Sequence, residues 1–326
     1  KQGDVYMEII ERLKQIEGIK LLYVCEAGSR AYGLHNEESD YNIRFIYSMP
    51  LHSYLNLFGQ KEEMEIQEEH FDIVGWDIKK VLRTVSKSQT NLYEWLASPV
   101  VYYEDSGFLP IRKCLLEKGF SLRTLALHYI SMARNNYKKI INRENIGVKS
   151  CLWVLKPLLM AKWILEKNEL PPVNYKDLIQ LRTSIKNKLE KLIVLRKNNI
   201  RQVPFTRDLE YFIEQEMDLG MKKIISLEEN ERLTEDSLNQ MFIQMVSSGW
   251  NRMEQQVPEM GKDVILLMKS ISNNQYYYAK AYVLGSGRFT INGKVFVQNI
   301  ITNSYEPVAW LYIEEPSKDF MDSVFV

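Results

Sequence analysis

One stretch, GSRAYGLHNEESDYNIRFIY at residues 28–47, constrains the fold of this chain more than any other. It follows a compact apolar run, IKLLYVCEA, which is typical of a buried strand. Within the stretch, Tyr41, Ile43, Phe45 and Tyr47 alternate with polar residues, as in a half-buried strand. The sequence therefore predicts two strands joined by a small-residue turn and a polar loop, which is the beginning of an α/β unit.

Neighbouring segments complete this unit. Residues 4–17 carry apolar residues at helical spacing and end at Gly18, which predicts an amphipathic helix. The run IQEEHFDIVGWD predicts a third strand, with Asp72 on its polar face. Asp77 is well placed to cap the next helix, because its carboxylate can accept the free amides of the first turn. We expect residues 1–110 to form one small domain.

Beyond residue 110 the pattern of apolar residues changes to that of long helices. The candidate helices are 121–142, 149–167, 174–197, 208–222 and 234–256. Alternating runs return near the carboxyl end, where Asn292-Gly293 between two of them predicts a hairpin. The expected fold class is therefore α/β plus α, with a helical domain at 111–256 and a small β-rich appendage at 257–326.

Length and composition are those of a chain with a substantial core. At 326 residues and 45% hydrophobic, it can bury one or more such cores. The sequence contains no uninterrupted run of about 18 apolar residues, so we expect no membrane-spanning helix. The amphipathic, acidic start is not typical of a signal peptide. Cys25, Cys114 and Cys151 lie far apart without metal-site spacing, which favours free thiols in a reducing compartment. We expect a cytoplasmic protein with no membrane partner.

The net charge of zero conceals a segregation along the chain. Residues 111–202 hold 20 Lys and Arg against 6 Asp and Glu, a net charge of +14, while the segments on either side each carry −7. A basic middle indicates a polyanion site, for nucleic acid or for a triphosphate. The alternative is that these lysines solvate helix surfaces and pair with the acidic flanks.

Oxygen-bearing side chains in the opening stretch indicate a metal and phosphate site. Asp40 and Asn42 lie two positions apart on the predicted strand, so their side chains emerge on one face about 7 Å apart. Such a pair can converge on Mg²⁺, and Asp72 adds a third donor if the strands pair. Gly28 and Ser29 open a turn after a strand, where free amides can hold phosphate. Together these features favour nucleotidyl transfer. Each alone is weak, since Gly-Ser turns are common and Asp-x-Asn on an edge strand is usually solvated surface.

This stretch resembles the Gly-Ser plus paired-acid signature of the DNA polymerase β-like nucleotidyltransferases, in particular their RNA-ligase-associated branch. The runs FDIVGWDIKKVLRTVSKSQTNLYEWLASPVVYY, LALHYISMARNNYKKI and KSCLWVLKPLLMAKWILEKNELPPV are similar to that branch in the same order, over residues 5–250. The resemblance implies a small mixed-sheet nucleotidyltransferase domain followed by a helical domain that binds nucleotide and substrate. It also implies metal-dependent transfer of a nucleoside monophosphate from an NTP to a hydroxyl.

The resemblance also implies roles for single residues. The catalytic and metal-binding residues would be Asp40, Asn42 and Asp72, holding two Mg²⁺ ions, with Asp77 as an alternative third acid. The co-substrate would be an NTP, bound by Gly28, Ser29, Arg30, Arg44, Lys149 and Lys156.

Asn42 departs from the family pattern, which has aspartate at this position. An amide still offers one oxygen to a cation, but the site loses a full negative charge. We therefore expect catalysis by this chain to be strongly impaired, because metal-based stabilisation contributes several kcal/mol in such sites. The asparagine at position 42 has two explanations: the natural protein is degenerate and non-catalytic, or the aspartate was deliberately changed to asparagine. We favour the second explanation.

The acceptor expected from the resemblance and the basic middle is an RNA or tRNA 3′ end. A protein hydroxyl or a small molecule is an alternative acceptor, and the sequence does not indicate an oligomeric state. A different class of function is a non-catalytic nucleotide-binding protein of regulatory or antitoxin type.

Overall fold

The structure is a computed structural model. It describes residues 2–55, 61–68, 70–246, 251–252, 258–272, 276–285, 288–291, 294–297 and 305–312. The chain separates into two compact units, residues 1–245 and 246–326. The boundary between them lies near the one predicted at residue 256, whereas the boundary predicted at residue 110 falls inside the first unit. A division of the first unit into two domains stays a prediction.

The strands and helices have the following bounds. The strands are β1 (Lys20–Glu26), β2 (Tyr41–Ser48), β3 (Glu63–Glu68), β4 (Phe71–Asp77), β5 (Val101–Glu104), β6 (Asn145–Gly147), β7 (Gln202–Pro204), β8 (Asn251–Arg252), β9 (Asp263–Ser270), β10 (Tyr276–Gly285), β11 (Arg288–Ile291), β12 (Lys294–Val297) and β13 (Tyr305–Tyr312). The helices are α1 (Gln2–Lys14), α2 (Gly28–Ala31), α3 (Leu51–Tyr54), α4 (Ile78–Ser86), α5 (Thr90–Leu96), α6 (Phe108–Lys118), α7 (Leu122–Tyr137), α8 (Val148–Lys167), α9 (Tyr175–Leu178), α10 (Lys186–Lys197), α11 (Arg207–Ser226) and α12 (Glu235–Val246).

A five-stranded mixed sheet organises the first unit, with strand order β3-β4-β2-β1-β5. β2 and β4 run parallel, and the other neighbours are antiparallel. One face of the sheet forms a core with α1, in which Ile43, Phe45 and Ile73 pack with Ile9 and Leu13. The predicted fold class, a mixed sheet with helices and a β-rich carboxyl end, is confirmed.

Gly75 on β4 shows how closely this core is packed. It lies opposite Phe45 in the parallel register. The phenyl ring of Phe45 occupies the space in which a side chain at position 75 would stand. Glycine at this position is therefore a requirement of packing, since any larger residue would displace the ring.

Three segments differ from the sequence prediction. The predicted helix 234–256 ends at Val246, and Asn251–Arg252 form strand β8. Gly249 follows the end of this helix in the sequence, and glycine disfavours a helix interior. The predicted third strand is a hairpin of β3 and β4, because His70 takes a left-handed conformation with φ 75° and reverses the chain. The predicted helix 174–197 is interrupted between α9 and α10. The prediction was wrong at this point because Leu178, Leu181, Ile185 and Leu189 are all buried and keep helical spacing across the interruption.

Helices α7, α8 and α11 pack against one another beyond the sheet, and a two-stranded ladder of β6 and β7 ties the start of α8 to the segment after α10. No helix in the described part of the chain is both long and apolar enough to cross a membrane.

The second unit is a six-stranded sheet in the order β12-β11-β10-β9-β13-β8. Its core includes Leu266, Phe289 and Trp310. β11 and β12 form the predicted antiparallel pair, whereas Asn292-Gly293 itself lies outside the described residues.

Candidate nucleotide site on the central strands

The turn after β1 lies directly against β2. Gly28 has a φ of +61°, and a Cβ placed on it would lie 3.1 Å from Nδ2 of Asn42. Glycine therefore permits both the left-handed backbone and this close approach. The amide of Ala27 donates to the carbonyl oxygen of Asn42 at 2.8 Å, which fixes the turn to the strand. The structure thus brings the predicted phosphate turn, Gly28 and Ser29, next to the predicted site residue Asn42.

The parallel pairing of β2 and β4 places two predicted site residues side by side. Asn42 is in register with Asp72, so both side chains emerge on the same face of the sheet. Arg44 lies two residues further along β2 and shares that face. Since Ile43 and Ile73 are buried in the core on the opposite face, the alternation forces the polar residues outward.

The carboxylate of Asp72 is already paired. Arg44 Nη2 donates to Oδ2 of Asp72 at 2.7 Å, and Arg44 Nη1 donates to the backbone oxygen of Asp72 at 2.7 Å. The sequence predicted a phosphate-binding role for Arg44 and a metal-binding role for Asp72, and the structure joins the two. The charge of the guanidinium offsets that of the carboxylate at the point where an anion or a cation would otherwise bind.

Asp40 and Asn42 lie at the entrance to β2. Asp40 is exposed and directly precedes the strand. Within the described residues its carboxylate makes no hydrogen bond or ion pair, while its backbone oxygen accepts a long hydrogen bond of 3.4 Å from Nδ2 of Asn42. Asp40 therefore contributes an uncompensated negative charge beside the turn.

Glu26 is a buried carboxylate that the sequence analysis did not single out. Its Oε1 accepts the amide hydrogen of Asn42 at 2.7 Å, and its Oε2 accepts the hydroxyl hydrogen of Tyr102 at 2.5 Å. Burial raises the pKa of Glu26, and these two hydrogen bonds oppose the shift. The signal in the sequence was a glutamate ending an otherwise apolar strand, which suggests a polar partner nearby.

Arg30 holds the polar loop that leads to β2. Its Nη2 donates to the backbone oxygen of Ser39 at 2.9 Å, and its guanidinium carbon lies 3.7 Å from the ring centroid of Tyr41. Its Nε is buried and has no hydrogen-bond partner among the residues that the structure describes. A buried N–H without an acceptor is unusual in a folded protein.

Lys156 lies inside the protein rather than on its surface. The side chain is 4% exposed, and its ammonium donates to Oε2 of Glu94 at 2.8 Å. The same ammonium lies 3.8 Å from the ring centroid of Tyr32, whose hydroxyl also donates to Glu94 at 2.7 Å. Burial lowers the pKa of Lys156, and the Glu94 carboxylate opposes the shift. Direct triphosphate binding by Lys156 stays a prediction, and the observed contacts instead link α8 to the segment after the Gly28 turn.

Lys149 is exposed at the start of α8, with its ammonium 6.0 Å from the ring centroid of Trp153. Trp153 in turn meets Tyr32 edge-on, at 5.3 Å between ring centroids. Asp77, the alternative third acid, has a different position: its carboxylate caps α4 through the amide of Lys79 and accepts the hydroxyl hydrogen of Tyr54. The predicted helix cap is therefore confirmed.

Comparison with known proteins identifies the family. The sequence model of the RNA repair pathway DNA polymerase beta family matches residues 3–244. The chain belongs to this family. The uncharacterized protein YcgL of Bacillus subtilis (strain 168) is 31% identical over 255 residues, which cover 74% of this chain and 96% of that protein.

A solved structure of a nucleotidyltransferase-like protein from Exiguobacterium sibiricum 255-15 is also similar. It is 10% identical and covers 79% of this chain and 85% of that chain, with a TM-score of 0.26. At that TM-score the likeness does not bear on function, and the family is established by the sequence matches.

The family implies divalent metal ions, and the donors present fit such an ion only in part. Within the described residues, no group of three His, Cys, Asp or Glu side chains is arranged to hold a metal. Asp40 offers a free carboxylate and Asn42 an amide oxygen, while the carboxylate of Asp72 is engaged by Arg44. Because Mg²⁺ commonly binds through one or two carboxylates plus substrate phosphates, this set fits an ion that arrives together with a nucleotide.

Proposed function

We propose that the protein is a nucleotidyltransferase that moves a nucleoside monophosphate from an NTP to a hydroxyl acceptor, with low turnover because of Asn42. The observation that carries the proposal is the contact between the Gly28 turn and Asn42, in a chain of the polymerase β family. The acceptor we favour is an RNA or tRNA 3′ end. The family description and the net charge of +14 over residues 111–202 support this choice.

In this proposal the residues of the chain bind and orient the nucleotide. The backbone amides of Gly28 and Ser29 hold triphosphate oxygens, and glycine keeps the turn close enough for direct contact. Arg30 and Lys149 add positive charge beside the phosphates. Asp40 orients the acceptor hydroxyl and the nucleotide through its free carboxylate. Divalent ions, two in the expected mechanism, would be held by Asp40, Asn42 and Asp72 and supply charge stabilisation for the transferred phosphoryl group.

Asn42 reduces the negative charge of this site. The pair Arg44–Asp72 reduces it further, since the guanidinium occupies the Asp72 carboxylate at 2.7 Å. A site with a single uncompensated carboxylate binds a metal–nucleotide complex more weakly than one with three. We therefore expect nucleotide binding with little transfer by the chain as it stands, and a large gain on restoring aspartate at position 42.

The test compares three proteins with Mg²⁺, labelled NTPs and total RNA: the parent, Asn42→Asp, and Asn42→Asp combined with Asp40→Asn. We expect Asn42→Asp to transfer label on the order of 100-fold faster than the parent, since each 1.4 kcal/mol of stabilisation is tenfold in rate. The double variant carries the same net charge as the parent and should return to its level. Failure of both the parent and Asn42→Asp to bind any NTP would overturn the proposal.

A second candidate function is nucleotide binding without turnover, as in a regulatory or antitoxin-type protein. The specific observation that favours it is the closed Arg44–Asp72 pair beside an amide at position 42. Equal NTP binding by the parent and Asn42→Asp, with no transfer by either, would support this function. Transfer of label to a protein instead of RNA would identify the hydroxyl acceptor as a protein side chain.

A further inference from the structure

The loop at residues 31–36, between the Gly28 turn and Asp40, is held from two sides by the basic part of the chain. On one side, the amide of Tyr175 donates to the backbone oxygen of Tyr32 at 3.1 Å, and Nδ2 of Asn174 donates to the backbone oxygen of Ala31 at 3.2 Å. On the other side, Nδ2 of Asn36 donates to Oδ1 of Asn199 at 3.1 Å. Residues next to these contacts therefore flank the entrance to the nucleotide site.

Three exposed cations lie within two residues of these contacts in the sequence. Lys176 comes after Tyr175, Lys197 ends α10, and Arg201 begins the segment that leads into β7. The backbone oxygen of Arg201 accepts the amide hydrogen of Val148 at 2.9 Å, so its position is fixed against the start of α8. We call Lys176, Lys197 and Arg201 the cationic rim.

The three side chains of the cationic rim are free of ion pairs in the described part of the chain. Asp177, Glu37 and Glu38 are exposed nearby in sequence or in the loop. The charge of Lys197 also acts on the loop. The pKa of His35 is lowered mainly by partial burial, and the positive charges of Arg30 and Lys197 lower it further.

We propose that the cationic rim binds the phosphate backbone of a single-stranded nucleic acid and leads its end toward the Gly28 turn. This inference rests on the proposed function, since it supplies a path for the RNA acceptor. Unpaired, exposed cations spread over three short segments suit a chain of phosphates, because each phosphate takes one charge and releases its counterions. The rim residues are distinct from those assigned to the triphosphate, so binding of the two substrates can be separated.

The experiment measures the affinity of a fluorescent single-stranded RNA 12-mer by anisotropy at several salt concentrations. The rim variant is Lys176→Gln, Lys197→Gln and Arg201→Gln in one protein. The control variant is Lys87→Gln, Lys113→Gln and Lys222→Gln, which removes the same charge from three exposed lysines of α6, α11 and the end of α4. Binding of NTP with Mg²⁺ is measured in parallel for all proteins.

We expect the rim variant to bind RNA at least tenfold more weakly than the control, with a slope of log Kd against log salt smaller by about 2, since each single-strand phosphate contact contributes about 0.7. NTP binding should be unchanged in both variants. Equal loss of RNA affinity by the rim and control variants would overturn the proposal. Binding of a polyglutamate peptide by the parent as tightly as the RNA 12-mer would also overturn it.

The two proposals fail separately. If the parent binds NTP but not RNA, the rim proposal is wrong and the nucleotide site stands. If RNA binding depends on the rim but no NTP binds to the parent or to Asn42→Asp, the rim stands and the proposed transferase function is wrong. A DNA 12-mer of the same sequence tests recognition of the phosphate backbone. Equal affinity for DNA and RNA supports it, whereas much weaker binding of DNA would show that the 2′-hydroxyl is recognised instead.

Discussion

Two ion pairs of the first unit have almost the same length and very different surroundings. Arg44 on the central strand β2 and Asp72 on its neighbour β4 lie 2.7 Å apart, with side chains 14% and 44% exposed. Lys156 and Glu94 lie 2.8 Å apart between α8 and α5, with side chains 4% and 12% exposed. A pair near water can be exchanged for another ligand at small cost, whereas a buried pair cannot lose one partner without leaving an unpaired charge. The first is therefore suited to binding, and the second to holding the site in place.

The largest effect expected from this comparison is on Lys156. Lys156→Met should lower the free energy of unfolding by about 3–5 kcal/mol, because Glu94 is left buried and uncompensated. Urea unfolding followed by tryptophan fluorescence measures the change. The double variant Lys156→Met/Glu94→Gln should recover much of the loss, since no buried charge remains. The matched control is Lys162→Met, whose partner Glu216 is 17% exposed. A loss no greater than that of the control would show that burial of the Lys156 pair is not what matters.

A smaller effect is expected at the turn itself. Gly28→Ala introduces strain at φ +61° and a contact with Asn42, while Gly18→Ala introduces similar strain at φ +76° with open space around the Cβ. We expect Gly18→Ala to lower the free energy of unfolding by about 1–2 kcal/mol. Gly28→Ala should lower it by more and should also weaken NTP binding, measured by calorimetry. Equal stability of the two variants and normal NTP binding by Gly28→Ala would mean that the close approach of Gly28 to Asn42 is unimportant.

The pair of Arg44 and Asp72, in which only the carboxylate side is well exposed, should tolerate substitution. Arg44→Gln is expected to lower the free energy of unfolding by less than about 1 kcal/mol, because solvent replaces the lost partner of Asp72. Arg112→Gln is the comparison variant, since Arg112 pairs with Glu104 with both side chains only 16% exposed. Thermal unfolding measures the loss of stability in both variants, and we expect the smaller loss for Arg44→Gln. A loss at Arg44 as large as at Lys156 would make Asp72 a structural residue rather than one available to a ligand.

The smallest effect is expected for Lys188 and Asp208, a pair on the surface with side chains 31% and 65% exposed. The hydrogen bond from Lys188, with help from Thr206, lowers the pKa of Asp208 to about 2. A carboxyl with a lowered pKa in the folded state stabilises that state above its ordinary pKa, and this contribution disappears as the pH falls through the lowered value. The stability difference between the parent and Asp208→Asn should therefore be small at neutral pH and vanish toward about pH 2. A difference that persists there would contradict the electrostatic origin.

Periodicity in the sequence predicted the faces of β2 and β4 well, although β2 is the central strand and not an edge strand. The alternation around Ile43 and Ile73 correctly placed Asn42 and Asp72 on a polar face, because burying one face of a strand fixes the other. The cap at Asp77 was also predicted, since it depends only on residues next to it in the chain. Local rules sufficed wherever the partner of a residue is its sequence neighbour.

Contacts between distant segments could not be read from the sequence. Glu94 and Lys156 are 62 positions apart, and nothing in either segment indicates that they meet in the interior. The pairing of Arg44 with Asp72 depends on the parallel arrangement of β2 and β4, which alternation alone does not specify. The turn at His70 was missed because the residue is not a glycine, although the alternation changes phase between Met64 and Ile66 before it and Phe71 and Ile73 after it.

The packing of Phe45 over Gly75 has a consequence for how this protein can change during evolution. The ring fills the volume above β4, so the two positions are free to vary only together: a side chain at 75 requires a smaller residue at 45. Drift at the polar edge, including exchange of aspartate and asparagine at position 42, meets no such restriction from the interior. Under the proposed function, a single substitution at position 42 would therefore change the chemistry and leave the architecture unchanged.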